Sequence, residues 1–166
     1  MERLLGAAAA IVAWSGWLAI CPALGFPTLG TVGMVNRALY KVIPDAGHNP
    51  VYWLGWLILI AALAGAIAVF FVLERFRLMR PSIGTGVIFG LALWLVVGLV
   101  VMPLLGLIDP TSASPQQPPD AMRATLMMNS LGPLASVAAL IAWTLFGAII
   151  GATGSSRPAA LMASAR

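Results

Sequence analysis

The stretch Gly84–Leu107, GTGVIFGLALWLVVGLVVMPLLGL, decides how this chain folds. Its 24 residues carry no charge, and their most polar side chain is one threonine. At the helical rise that length is roughly 36 Å, enough to cross a hydrocarbon core of about 30 Å with some tilt. Its glycines follow a pattern: Gly86 and Gly90 form a GxxxG pair, and Gly98 and Gly106 continue near the same face in steps of eight. Burial of apolar surface does not drive helices together inside lipid, so close approach over small residues must supply the attraction. Gly86, Gly90 and Gly98 are therefore candidate helix-packing positions.

The rest of the chain agrees with a membrane setting. Of 166 residues, 61% are hydrophobic and 8% charged, with mean hydropathy +0.99. A soluble domain carries about 25% charged residues, so a single integral membrane domain over 1–166 is the expectation. The high pI of 10.2 does not imply a nucleic-acid partner. The basic residues are few, sit near membrane edges and form no stripe. One cysteine and one histidine leave no intramolecular disulfide, CxxC pair, haem-attachment motif or zinc cluster from this chain alone, so no metal site is expected.

The expected architecture is an all-α bundle of four spans, at about 3–24, 50–73, 84–107 and 131–153. The first resembles a secretory signal ending at Leu18-Ala19-Ile20-Cys21. Isoleucine before the cysteine is too large for a lipoprotein cleavage site, so an uncleaved span ended by Pro22 and Pro27 is expected. From about 28 to 43, apolar Leu29, Val32, Val35, Leu39, Val42 and Ile43 fall on one arc, with Arg37 and Lys41 opposite. This pattern predicts a short amphipathic helix lying in the outer interface.

Asn49-Pro50 reads as the cap and first turn of the second span, with Tyr52, Trp53 and Trp56 as an aromatic anchor. Deeper in, Ala61, Ala62, Gly65, Ala66 and Ala68 supply small-xxx-small spacings. The link Glu74–Arg80 leads to the break at Pro81. The segment 109–123, with SPQQPPD, reads as an extended linker. The last span carries a second GxxxG pair, Gly147 and Gly151.

Counting alternate sides, Arg3, Arg75, Arg77, Arg80, Arg157 and Arg166 share one face, and Arg37, Lys41 and Arg123 the other. That bias predicts both termini in the cytoplasm of a prokaryotic inner membrane. Ten of the twelve prolines then fall on the outer side, which makes that side the one with irregular backbone.

Span interiors carry no Asp, Glu, Lys, Arg or His, the residues that usually mark proton and ion pathways in lipid. No Ser-His-Asp or paired-carboxylate constellation can be drawn within one compartment, so no catalytic residue is nominated and a non-enzyme is expected. His48, just before the second span, could face a haem, quinone or pigment, although a turn or capping role suits its sequence better. Trp14, Trp94 and Trp143 lie near the middles of their spans, away from the interfaces tryptophan prefers. Gap-filling beside glycines is the simpler role. A flat cofactor such as a carotenoid or quinone tail, flanked by Trp94 and Trp143, is the other. The sequence requires no cofactor; lipid, quinone and pigment remain the candidate contacts.

From His48 onward, the pattern GVIFGLALWLVVGLVVMPLLGL followed by a span ending TLFGAIIG resembles small four-helix prokaryotic membrane proteins of the YagU-like kind and related families of unknown function. The resemblance covers about residues 48–153 and implies a four-span fold without implying a reaction. Those proteins often carry a histidine in the last span ahead of the final glycines, where this chain has Trp143. The expectation for function is a non-catalytic accessory subunit of a larger membrane complex, respiratory or photosynthetic, with other membrane subunits and lipids as partners. A small transporter or channel for a neutral solute, or a cofactor-binding module, are the alternatives.

Overall fold

Four segments are apolar and long enough to cross a membrane among the described residues: Arg3–Leu24, Trp53–Arg75, Ile83–Leu105 and Pro133–Gly154. The structure, a computed structural model, describes residues 2–26, 35, 39, 48–108 and 132–155. Within them the chain is an all-α four-helix bundle, as its sequence predicts. The elements are α1 (Glu2–Ile20) with a 3-10 turn (Cys21–Leu24), α2 (His48–Arg75), α3 (Ile83–Val96), a π-helical turn (Val97–Val101), α4 (Met102–Ile108) and α5 (Pro133–Ser155). The expected interfacial helix at 28–43 lies outside the described residues apart from Val35 and Leu39, and the linker 109–123 lies wholly outside them.

Helix ends follow local chemistry. After the 3-10 turn, Phe26 N–H donates to the Cys21 carbonyl and Gly25 N–H to the Pro22 carbonyl, with Gly25 left-handed at φ +77°. This is a Schellman ending, and the glycine avoids the Cβ penalty of that conformation. At the start of α3, Thr85 N–H donates to Ser82 Oγ at 3.1 Å and Ser82 N–H donates to Thr85 Oγ1 at 3.0 Å. The reciprocal pair forms a capping box that satisfies otherwise orphaned donors. Thr85 stands where glutamate or glutamine is usual.

Two boundaries differ from the sequence reading. α2 begins at His48, so the histidine is the first helical residue and no longer part of the turn before an Asn49 cap. The third span is not a uniform α-helix. Pro103 has no N–H to offer the Leu99 carbonyl, and its ring crowds that oxygen in regular α geometry. The chain widens just ahead of it, and Met102 N–H donates to the Val97 carbonyl five residues back.

α5 is the central helix. Half of its most apolar stretch is buried, against 28% for the third span and 22% for each of the first two. α3 and α1 lie closest to it, backbone to backbone. α2 meets the bundle mainly through long side chains: Leu63, Ile67 and Phe70 reach into a core shared with Ala10, Trp14, Phe89, Trp143 and Phe146. A second cluster under the π-helical turn joins Met102 to Ala135 and Ala139.

Candidate functional site

Among the described residues, α3 and α5 meet backbone to backbone over glycines. A Cβ on Gly86 would run into the Gly147 carbonyl and lie 2.8 Å from Gly151 Cα. A Cβ on Gly147 would run into the Gly86 carbonyl, one on Gly90 into the Trp143 carbonyl, and one on Gly151 into the Ser82 carbonyl. The reciprocal geometry aims Cα–H bonds of each glycine at carbonyl oxygens of the other helix, a weak contact repeated along the seam. The two GxxxG pairs are thus turned on one another, α3 against α5. Neither is left open to a helix from outside the chain. Gly98 is buried too, inside the π-helical turn.

α1 seats on the opposite side of α5. Gly6 packs under the Thr153 side chain, and the Trp17 indole N–H donates to the Ala138 carbonyl at 2.8 Å. That carbonyl also belongs to the α5 ladder, and its second lone pair is reachable because alanines surround it. The Trp17 indole N–H is thereby paired where it meets α5.

The centre of the bundle is a cluster of tilted and edge-to-face aromatic rings. Trp14 and Trp143 lie 5.6 Å apart between ring centroids, Trp143 and Phe146 5.5 Å, and Phe70 and Phe89 5.2 Å. Trp143 therefore packs against protein rings on two sides. Trp94 is half-buried between the two core clusters. The Trp14 indole nitrogen is buried without a hydrogen-bond partner. His48 opens α2, and its side chain lies outside the described residues. The structure thus brings Trp94 and Trp143 to one core, which they share with Trp14 of α1.

Sequence reading put Arg3, Arg75, Arg77 and Arg80 on one side but found neither the ion pair nor the cavity there. Arg3 Nη2 lies 2.7 Å from Glu74 Oε1, joining the start of α1 to the end of α2, and the guanidinium stands 5.3 Å above the Phe71 ring. Only 8% of the Glu74 side chain is exposed, and its second oxygen is buried without a partner. Beside this pair a cavity of about 840 Å³ opens, lined in part by Arg75, Arg77 and Arg80. The arginine run was visible in the sequence as a topology signal, but its convergence on one cavity depends on how α1, α2 and the link to α3 meet. No protein-family model matches the chain, and neither does any curated protein or solved structure.

Proposed function

We propose that the chain is a non-catalytic accessory subunit of a larger assembly in a prokaryotic cytoplasmic membrane, docking through the outward face of α2. The observation that carries this reading is the composition of that face. Leu57, Ala61, Ala64, Gly65 and Ala68 share one arc and are all exposed, and a Cβ on Gly65 would have no neighbour within 4 Å. Ala61–Gly65 and Ala64–Ala68 are small-xxx-small pairs of the kind that lets another helix approach closely in lipid. The glycines of α3 and α5 already occupy each other, so this is the surface on which the docking argument rests. The aromatic filling of the core supports the same reading over solute transport, because a pathway would need the rings of Trp14, Trp143 and Phe146 to part. The partner expected on α2 is a transmembrane helix of a different protein.

The test is photo-crosslinking in native membranes from a reactive residue at Gly65, with Ile88 on α3 as the comparison site. The expected result is one defined membrane protein joined at Gly65 and not at Ile88, with the adduct lost when Ala61→Leu is added. Adducts with lipid only, or with a second copy of this chain, overturn the proposal.

A further inference from the structure

Four guanidinium groups line the cavity at the polar end of the bundle, from Arg3, Arg75, Arg77 and Arg80, and the carboxylate among its lining residues is Glu74. Glu74 is committed to Arg3, which it holds in place from a buried position. Arg75, Arg77 and Arg80 are thus an excess of positive charge around one concavity. A bias of arginines to one side of a membrane satisfies topology without any convergence. Here the arginines come from α1, α2 and the link from α2 to α3, and they face one space whose volume falls within the ordinary range for small-ligand sites.

The backbone at Arg77 points the same way. α2 ends in a Schellman motif: Leu78 N–H donates to the Leu73 carbonyl at 3.0 Å and Arg77 N–H to the Glu74 carbonyl at 2.9 Å. Arg77 therefore occupies the left-handed position, at φ +58°. The same motif at the end of the first span has Gly25 in that place. An arginine there adopts a conformation that glycine would take without steric cost, and in return a guanidinium lines the cavity. The following link is fixed as well, since Thr85 Oγ1 donates to the Arg80 carbonyl at 2.6 Å from within the capping box.

The depth of the cavity indicates the ligand. It lies where the second span ends and the third begins, and Phe71, Val72 and Pro81 give it an apolar side. A ligand suited to it is anionic at one end and apolar at the other. We propose that the cavity binds the phosphate of an anionic phospholipid headgroup, held by Arg75, Arg77 and Arg80, with its glycerol and upper acyl carbons against the apolar side. Guanidinium forks match phosphate oxygens two at a time, and basic pockets at this level of a bundle suit such headgroups.

The test measures thermal unfolding of the full chain in a neutral detergent while dioleoyl-phosphatidylglycerol, dioleoyl-phosphatidylcholine or inorganic phosphate is added. Phosphatidylglycerol is expected to raise the midpoint in a saturable way, and the other two to leave it in place. Arg77→Gly should keep or raise the lipid-free midpoint, because glycine suits the left-handed position. It should weaken the phosphatidylglycerol response about tenfold, as expected for loss of a charge-assisted hydrogen-bonding group. Arg80→Gln provides a second reading of the same loss, and Arg123→Gln, in the linker between the third and fourth spans, should leave the response intact. An equal response to phosphatidylcholine, an equal response to inorganic phosphate, an undiminished response in both cavity variants, or an equal loss in Arg123→Gln overturns the proposal.

Discussion

At the scale of single residues, two glycines of the same type have opposite surroundings. Gly90 is pressed against the Trp143 carbonyl, whereas Gly65 faces open space. Leucine at Gly90 cannot be absorbed by a side-chain rotation, because the atom it meets is backbone. Helix α5 would have to move away from α3, forfeiting the contacts along the glycine seam. Gly90→Leu should still insert, since leucine is well tolerated in lipid. Its thermal midpoint in detergent should fall by several degrees, the equivalent of about 2–3 kcal/mol for overpacking. Gly65→Leu should leave the isolated chain's midpoint unchanged or slightly higher, as expected where a side chain points away from the bundle. Equal effects at the two positions would contradict the seam. The small-residue spacing at both was visible in the sequence. Which of them met another helix was not, because a GxxxG face looks the same whether its partner is within the chain or outside it.

The helices as units show how much of the fold hydropathy alone can reveal. The four spans stand where their apolar runs predict, because backbone groups in lipid leave a long apolar stretch few alternatives to the helix. Their ends were harder to read. The capping box at Ser82 uses threonine three residues on, and the glutamate form is the usual signature. Ser82→Ala should remove the acceptor for Thr85 N–H and lower stability by about 1 kcal/mol. Thr85→Ser, which keeps a hydroxyl, should cost much less. A loss of the same size in both variants would mean that the side-chain bonds of the box contribute little. The start of α2 at His48 and the widened turn before Pro103 also depend on backbone geometry that periodicity does not carry.

For the whole molecule, the distribution of residue types is that of a lipid-immersed bundle. Branched aliphatic side chains such as Val12, Ile60, Ile88, Val96 and Leu104 point outward, while glycine, alanine and aromatic residues fill most of the middle beside a few aliphatics such as Leu63 and Ile150. A water-soluble bundle would reverse much of that order, because water drives aliphatic side chains inward and lipid does not. The arginine-bearing end joins the start of the first span to the end of the second through Arg3 and Glu74. With four spans, the start of the first and the end of the last fall on that same side, and the positive-inside bias makes the cytoplasm the expected compartment for it. A cysteine placed at Ser114 should react with an impermeant reagent added outside cells, and one at Ser155 should not. Cys21 is buried and gives little background. The opposite labelling pattern would overturn this expected orientation and put the arginine cavity on the outer side.

The widened turn at Val97–Val101 makes the third span equivalent to a regular helix into which one residue has been inserted. An inserted residue would ordinarily rotate everything beyond it by about 100° and lengthen the span by about 1.5 Å. The loop of five absorbs that rotation, so Met102 still arrives at Ala135 and Ala139. Deleting one residue there, Leu99 for example, should therefore preserve the face downstream while bringing the Pro103 ring back against a carbonyl. The deletion alone should destabilise the bundle. Combined with Pro103→Leu it should recover most of the loss in thermal midpoint, a compensation that two independent lesions would not show. If the double change is no better than the deletion, proline and the extra residue are not a matched pair, and the turn has another cause.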